Sequence, residues 1–256
     1  MSIKIESVSK KYDTGLLALE NINLEIGSHE FICILGPSGC GKSTLLNIIA
    51  GLDKPSEGMV VIEGNQINGP SNDRVMMFQE PSLFPWLTVI ENIKFGLKLK
   101  KLQKLEQVDI ATKFLKLIKL EEFKNYNVYQ LSGGMQQRVT LARALAIESP
   151  YILMDEPFSS LDKQTINILR EELESLWRQL KNTIIYVTHS VEEAIFFADR
   201  IVMLSANPGH IKRIFDINLP RPRKTDDEEV IRLRSMILKE LRYEVELSEE
   251  KEKVAH

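Results

Sequence analysis

The chain has 256 residues, with 33 Lys and Arg residues against 36 Asp and Glu residues, so its net charge is −3. With 43% hydrophobic and 27% charged residues it has the composition of a globular protein, which excludes disordered and fibrous classes. The slight acidic excess also argues against a nucleic-acid-binding protein.

The cysteines and the hydropathy pattern argue against a secreted or membrane-spanning protein. Cys33 lies in an apolar run and Cys40 in a glycine-rich loop, which favours a reducing compartment over a secreted disulfide framework. Residues 1–11 do not have the pattern of a signal peptide. No stretch approaches the ~18–20 apolar residues that cross a bilayer, so we expect any link to a membrane to pass through a partner.

The alternation of apolar and polar residues in 3–5 and 22–26 predicts half-buried antiparallel strands near the N-terminus. Three continuous apolar runs follow, at 31–35, 151–154 and 183–187, and such runs are typical of central parallel strands covered by helices. Helical patterns separate them, at 42–50, 134–148, 165–180 and 191–198. The sequence therefore predicts an α/β core with a mainly parallel sheet and an N-terminal antiparallel β layer.

The segment from about 82 to 149 is rich in helical patterns and is predicted to be a helical subdomain inserted in this core. Within it, leucines alternate with lysines over 97–105, which predicts a partly buried helix whose lysines extend to solvent. We predict one domain over 1–224, in which this helical subdomain is inserted, and a C-terminal helix with a charged tail over 225–256.

Near the C-terminus, the strands 201–204 and 211–217 flank a predicted turn with Gly209 at positive φ. Residues 219–224 are predicted to form an extended, solvated linker that includes Arg221 and Arg223. A helix is predicted over 228–243, followed by a frayed tail at 248–256.

The strongest functional signal is a phosphate-binding loop between an apolar strand and a helix. Its residues are Gly36, Pro37, Ser38, Gly39, Cys40, Gly41, Lys42, Ser43 and Thr44. The glycines allow backbone N–H groups and the helix N-terminus to face phosphates. Lys42 is expected to reach the β- and γ-phosphates of a nucleotide, and Ser43 to ligate Mg²⁺. The sequence therefore predicts a P-loop NTPase.

A second signal is the acidic end of the apolar strand 151–154. Asp155 is expected to hold Mg²⁺ through water, and Glu156 to orient and deprotonate the water that attacks the nucleotide. Two adjacent acids alone are weak evidence, but after a phosphate loop they are what a nucleotide hydrolase requires.

A third signal precedes the helix at 134–148, where Ser132, Gly133, Gly134 and Gln136 occur in the run 131–138. Ser132 and the free N–H groups of this helix start could bind an anion. A simple capped helix start explains the same residues. One nucleotide has little use for two such helix ends on one chain, unless two chains share the nucleotide.

With these motifs, the sequence resembles the ATP-binding subunits of ATP-binding-cassette transporters, over residues 3 to 222. The family's motifs occur in order: Tyr12, the phosphate loop, Gln79 after Phe78, the run 131–138, Asp155 with Glu156, the Ser160–Asp162 tripeptide, and His189 after Thr188.

The resemblance implies a role for each matching residue. Tyr12 is expected to stack on adenine, Gln79 to contact Mg²⁺ or the attacking water, and His189 to hydrogen-bond the γ-phosphate and position Glu156. Asp162 is expected to communicate across a dimer and is equally suited to cap the next helix. Two chains are expected to pack head to tail, so that residues 132–134 of one chain close on ATP held by Lys42 of the other.

Residues 78–89, 191–194 and 219–223 are similar to the importer branch that moves nitrate, sulfonates, taurine or thiamin precursors. The implied function is an ATPase on the cytoplasmic face of the membrane, beneath permease subunits. An extracytoplasmic solute-binding protein is expected to deliver the solute to these subunits. Phe84 and Trp86 are expected to line the groove for a permease helix, or else to belong to an aromatic core. The alternative function is a soluble cassette ATPase of DNA repair or translation, for which the chain lacks the usual long insertions.

Four positions depart from the family's pattern. Ser190 replaces an acid, Ile166 stands where this branch often has Arg, and Asn207 and His210 stand where basic residues are usual. None of them is expected to contact phosphate, so they bear on the solute and not on hydrolysis.

Overall fold

The computed structural model describes residues 2–100, 102–159 and 161–255, and the side chains of these residues except 99 and 249–255. The strands are β1 (Ile3–Lys11), β2 (Leu17–Ile26), β3 (Phe31–Leu35), β4 (Glu57–Ile62), β5 (Asn65–Gln66), β6 (Arg74–Met77), β7 (Tyr151–Asp155), β8 (Thr183–Thr188), β9 (Arg200–Leu204) and β10 (Ile211–Asp216). The helices are α1 (Lys42–Ala50), α2 (Val89–Leu97), α3 (Lys104–Leu117), α4 (Gly133–Ala146), α5 (Lys163–Leu180), α6 (Val191–Phe197) and α7 (Glu228–Ala255).

The chain divides into two compact units, and the first contains residues 2–71 and 183–255. It holds the antiparallel sheet β2-β1-β4-β5 and the strand order β10-β9-β3-β8. In the second group β9, β3 and β8 run parallel, and β10 is antiparallel to β9. Every residue of β3 and of β8 is buried, as expected for central strands with apolar side chains on both faces. The predicted antiparallel layer and parallel core strands are confirmed.

The second unit spans Asn72–Asn182. It contains the parallel pair β6 and β7 and the helices α2, α3 and α4, which contact one another. α2 begins with a capping box, in which the Thr88 hydroxyl and the Glu91 carboxylate satisfy each other's backbone N–H groups. The limits 82–149 and 1–224 stay predictions. No helix in the described parts of the chain has the length and apolar composition to span a bilayer.

The prediction for residues 97–105 is wrong in part. Leu97 is buried at the end of α2, but a 3₁₀ turn at 98–100 follows and α3 begins only at Lys104. Leu105 is 79% exposed, so this leucine does not belong to a buried stripe. Lys101 lies outside the described residues. The spacing of the leucines predicted one regular helix here, but two helices joined by a 3₁₀ turn fit the same spacing.

The prediction of a solvated linker at Arg221 and Arg223 is also wrong. Arg223 is 5% exposed, and its guanidinium donates to the carbonyl oxygens of Ile195 at 2.7 Å and Ala198 at 2.6 Å. Arg221 pairs with Asp199 at 2.6 Å. The last carbonyls of a helix have no intrahelical donor, and the arginine fork supplies donors at the end of α6.

Gly209 does not adopt the predicted positive φ, which Asn207 adopts instead, at 55°. Gly209 is required by close packing, because a Cβ there would lie 2.1 Å from the carbonyl oxygen of Cys40. Its backbone pairs with Ala18 and Glu20 of β2. The hairpin loop therefore contacts both β2 and the phosphate loop.

The C-terminal helix continues past the predicted end at Tyr243 to Ala255. Residues 244–255 contain no proline or glycine and are mostly strong helix formers, which explains the extension. Glu240 and Glu244 hold α7 against β10 through Arg213 and Lys212.

Candidate functional site

The phosphate loop connects β3 to α1 within the first unit, as predicted. Gly39 and Gly41 have φ values of 76° and 91°, in the left-handed region that favours glycine. A Cβ on Gly41 would lie 2.6 Å from Cδ2 of Leu19, and one on Gly36 would lie 2.8 Å from the carbonyl oxygen of Leu204. Larger residues at these glycines would therefore strain or displace the loop.

Lys42 is the first residue of α1, and its side chain is buried inside the loop. Its ammonium group donates to the carbonyl oxygens of Gly36 at 2.9 Å and Pro37 at 2.8 Å. Ser43 and Ser38 are exposed at the same helix start. The helix dipole and these N–H and O–H groups suit a phosphate group.

Cys33 and Cys40 are buried free thiols. Burial raises the pKa of the Cys40 thiol despite the ammonium group of Lys42, whose Nζ is 4.0 Å from Sγ. Burial also raises the pKa of Cys33. Both thiols are therefore protonated at neutral pH and act as small apolar side chains.

Tyr12 lies beside the phosphate loop, where its hydroxyl is 3.2 Å from Oγ1 of Thr44. The ring is 37% exposed, and the ammonium group of Lys10 lies 5.0 Å from the ring centroid. Lys10 is itself held by Asp53 at 2.6 Å. The ring is thus fixed at the loop while part of its surface stays open for stacking.

His189 is brought to the phosphate loop's edge of the sheet by strand register. Leu35, the last residue of β3, pairs with Thr188, the last residue of β8. The loop that begins at Gly36 and the turn that begins at His189 therefore leave adjacent parallel strands at the same level. His189 is exposed, and Ser190 caps α6 by accepting from the N–H of Glu193 at 3.3 Å. Ser190 therefore serves as the N-cap of α6, a position that an acid also suits.

In the second unit, register likewise brings Gln79 and Asp155 to one edge. Met77, the last residue of β6, pairs with Met154 of β7. Asp155 is the next and last residue of β7, and Gln79 lies two residues beyond Met77. Asp155 is buried and Gln79 exposed. Glu156 is half-buried and has a φ of 44°, which residues other than glycine seldom adopt.

Ser132 is the N-cap of α4, and its hydroxyl accepts from the N–H of Met135 at 3.4 Å. Ser132 and Gly133 are exposed. Gln136 donates to the carbonyl oxygens of Val128 and Leu131, which fixes the chain that leads into the helix. The capping interpretation is therefore correct for Ser132, and the cap leaves the helix end open to an anion.

Two residues of this region were not singled out from the sequence. The buried Gln137 donates from Nε2 to the carbonyl oxygen of Pro157 at 2.9 Å, which ties α4 to the segment that follows Glu156. The buried Glu193 joins the end of β8 to α6 through two hydroxyl groups. Gln137 lies in the run 131–138 and Glu193 in the run 191–194, but only their burial distinguishes these two residues from their neighbours.

Asp162 is the N-cap of α5, where its carboxylate accepts from the N–H groups of Gln164 and Thr165, both at 3.0 Å. The hydroxyl of Thr165 donates at 2.6 Å. These bonds hold the pKa of Asp162 below its usual value. Ser160, the first residue of the predicted Ser160–Asp162 motif, lies outside the described residues.

Trp86 is 73% exposed, so the alternative of an aromatic core is wrong for this residue. It contacts Phe84, whose ring centroid is 5.5 Å from that of Trp86 and 4.3 Å from that of Phe95. Arg143 covers Phe84 at 5.4 Å and donates to the carbonyl oxygen of Ser82. We call Phe84, Trp86 and Phe95 the aromatic patch.

A family model described as "ABC transporter" matches residues 19–159. An uncharacterized ABC transporter ATP-binding protein of Methanocaldococcus jannaschii is 49% identical over 96% of this chain and 93% of its own length. The nitrate import ATP-binding protein NrtD of Synechocystis is 47% identical over 82% of this chain and 79% of its own. The aliphatic sulfonates import ATP-binding protein SsuB of Bacillus cereus is 43% identical over 95% of this chain and 97% of its own.

Among solved structures, a dimeric ATP-binding cassette in a post-hydrolysis state with ADP and Pi matches with a TM-score of 0.77 and 38% identity. The match covers 85% of this chain and all of the cassette. The predicted P-loop α/β fold and the resemblance to importer ATPases are confirmed. On the family match and these relatives, the chain belongs to the ABC transporter family, as an ATP-binding subunit.

Proposed function

We propose that this chain hydrolyses ATP to power the import of a small oxyanion, of the nitrate or organic sulfonate type, through a membrane permease. The observation that carries the proposal is that one chain presents two separate helix N-termini suited to phosphate, at Lys42 and at Ser132. Relatives named as import ATP-binding proteins for nitrate and aliphatic sulfonates support the solute class.

For nucleotide binding, we assign the triphosphate to residues 36–44 and the adenine to Tyr12. Lys42 would exchange its carbonyl partners for β- and γ-phosphate oxygens, which attract an ammonium group more strongly. The exposed face of Tyr12, backed by Lys10, is suited to stack on a purine.

The donor set fits Mg²⁺, a hard cation that prefers oxygen ligands. We assign the ion to the Ser43 hydroxyl, the Asp155 carboxylate and the Gln79 amide oxygen. When bound, Mg²⁺ neutralises charge on the β- and γ-phosphates. Phosphate oxygens of the nucleotide would supply further ligands.

For hydrolysis, Glu156 accepts a proton from the attacking water, which then displaces ADP from the γ-phosphate in line. His189 donates a hydrogen bond to the γ-phosphate. The shared register of β3 and β8 supports this role for His189, because it sets the histidine turn at the level of the phosphate loop.

A second copy of the chain would complete each site. Residues Ser132, Gly133, Gly134 and Gln136 of one copy would close on the γ-phosphate held by the other, and Asp162 would communicate between the copies. The dimeric cassettes among the solved structures support this assembly. Closure on ATP and opening after hydrolysis would then form the power stroke.

The membrane partner is a permease, bound at the cytoplasmic face of the cell membrane. The exposed aromatic patch supports this docking, since exposed Trp beside Arg is typical of interface anchors. An extracytoplasmic solute-binding protein would deliver the solute, and nucleic acid has no part. The alternative of a soluble cassette ATPase in DNA repair or translation is disfavoured by the import proteins among the relatives.

Transport by the reconstituted complex tests the proposal. The chain, its permease and its solute-binding protein are placed in vesicles with ATP on the ATPase side, and uptake of nitrate and ethanesulfonate is measured. ATP-dependent accumulation of either anion is expected. ATP hydrolysis without accumulation of either would contradict the solute class, and absence of hydrolysis would contradict the ATPase assignment.

A further inference from the structure

A buried carboxylate supports the turn that carries His189. Glu193 on α6 is 7% exposed, and its Oε2 accepts hydrogen bonds from the Tyr186 hydroxyl and the Thr188 hydroxyl, both at 2.8 Å. Burying a carboxylate is unfavourable unless hydrogen bonds compensate for lost water. The two hydroxyl donors, one from the middle and one from the end of β8, supply that compensation.

Glu193 is linked to both chain neighbours of His189, through its carboxylate and through its backbone N–H. On one side, Glu193 accepts from Thr188. On the other, the Thr188 hydroxyl oxygen accepts from the N–H of Ser190 at 3.0 Å, and Ser190 accepts from the N–H of Glu193. The residues before and after His189 are therefore closed into one hydrogen-bonded ring through Glu193.

This arrangement differs from ordinary helix capping. Ser190 and Glu193 have the spacing of a capping box, in which the glutamate would accept from the N-cap backbone N–H. In α2 that pattern occurs, since Glu91 accepts from the N–H of Thr88 at 2.9 Å. In α6 the N–H of Ser190 instead bonds to Thr188, and the Glu193 carboxylate is directed to β8. The capping role alone does not explain where this carboxylate points.

We propose that Glu193 is a positioning residue for His189, which it holds at the height where the imidazole reaches the γ-phosphate. The inference rests on the proposed role of His189 in hydrolysis. Because a fixed turn lowers the cost of orienting the imidazole in the transition state, loss of Glu193 is expected to reduce turnover more than ATP binding.

The test is a double-mutant cycle between Glu193→Ala and His189→Ala, read as steady-state ATP hydrolysis by the full chain with Mg²⁺. Glu193→Ala is expected to lower kcat by about 10- to 100-fold, because misplaced catalytic groups lose rates of that order. KM for ATP is expected to stay within about twofold. In the His189→Ala background, Glu193→Ala is expected to cause no further loss.

Two further variants keep the test decisive if Glu193→Ala does not fold. Glu193→Gln keeps an acceptor oxygen and is expected to retain most of the turnover. Thr188→Val keeps the shape of the side chain but removes a donor to the Glu193 carboxylate and the acceptor for the N–H of Ser190. It is expected to lower kcat while KM for ATP stays within about twofold. Glu192→Ala is the matched control, because Glu192 is next in sequence but pairs with Arg234 at 3.0 Å on the outside of α6.

The outcomes distinguish an error in the role of His189 from an error in the role of Glu193. If His189→Ala leaves kcat unchanged, the proposed role of His189 is wrong. If His189→Ala lowers kcat but Glu193→Ala lowers it by an equal additional factor in both backgrounds, Glu193 is a structural residue and this inference is overturned.

Discussion

The ammonium group of Lys42 donates to the carbonyl oxygen of Pro37 at 2.8 Å, within the loop to which both belong. The same ammonium group also donates to the carbonyl oxygen of Gly36, so the lysine side chain connects the end of the loop to its beginning. Because backbone carbonyls are neutral acceptors, phosphate oxygens can replace them with a gain in hydrogen-bond strength. The two bonds hold the lysine side chain in position within the loop.

Replacing this lysine should abolish tight nucleotide binding. A hydrogen bond to a charged group contributes about 1.5–3 kcal/mol, so Lys42→Ala is expected to raise Kd for ATP by about 10- to 100-fold. Equilibrium titration with a fluorescent ATP analogue measures the change. Lys4→Ala, which removes an exposed ammonium group from β1, is the control. Equal affinity in Lys42→Ala and the control would contradict the phosphate-loop assignment.

Replacing Glu156 should separate binding from hydrolysis. Glu156→Gln keeps the size of the side chain but removes the proton acceptor, and general bases contribute about 10²–10⁴-fold to rate. We expect single-turnover hydrolysis to fall by that order while ATP affinity is retained, and the ATP-bound dimer to persist in size-exclusion chromatography with light scattering. Glu171→Gln, on the exposed face of α5, should behave as wild type. Hydrolysis at the wild-type rate in Glu156→Gln would remove Glu156 from its role.

Much of this site follows from local sequence. The strand before the phosphate loop and the start of α1 depend on residues adjacent in the chain, an apolar run followed by glycines and Lys42, and both lie where predicted. Register could also be anticipated in part, because the carboxyl ends of parallel strands share one edge.

The sequence predictions that were wrong concern residues whose partners lie in other segments of the chain. Gly209 contacts Ala18 and Cys40, and Arg223 reaches the carbonyl oxygens at the end of α6. Glu193 has the spacing of a capping glutamate, but its carboxylate accepts from the hydroxyls of Tyr186 and Thr188 on β8 instead. Local patterns do not specify such partners, so the sequence predicted only a turn with Gly209 at positive φ and a solvated linker at Arg223.

The cap at Asp162 makes stability depend on pH. Hydrogen bonds from Thr165 hold the pKa of this carboxylate below its usual value of 3.8 in the folded chain. Its contribution is therefore complete above that value and is lost as pH falls through the lowered folded pKa. Asp162→Ala should lower the free energy of unfolding in urea at pH 7, and its difference from wild type should shrink as the pH falls below 3.8.

Asp162→Asn is the matched variant for this measurement, because asparagine also accepts at an N-cap but does not titrate. It should retain stability at pH 7 without this pH dependence. A constant difference between wild type and Asp162→Ala at every pH would show that the charge of Asp162 does not contribute.

Removing Trp86 should uncouple the chain from its permease. Its side chain is mostly exposed, so Trp86→Ala is expected to change stability by less than about 0.5 kcal/mol. As an interface anchor it should contribute about 2 kcal/mol or more, so binding to permease-containing vesicles should weaken about tenfold or more. ATP affinity should stay unchanged. Leu105→Ala, an exposed apolar residue of α3 outside the aromatic patch, should bind the vesicles normally, and equal binding by both variants would exclude the patch as the docking surface.

The shared site can be tested by mixing two inactive variants. An added Cβ at Gly133 meets no atom within 4 Å, so Gly133→Asp should fold normally, and an acid at the first position of α4 favours the helix dipole. The same charge would repel the γ-phosphate of ATP on a second copy. Gly133→Asp and Lys42→Ala should each lack hydrolysis. When mixed, they form dimers in which one site combines an intact Lys42 with an intact Gly133 of the partner subunit. Hydrolysis by the mixture should therefore exceed that of either variant alone, whereas a site built within a single chain would leave the mixture as inactive as its components.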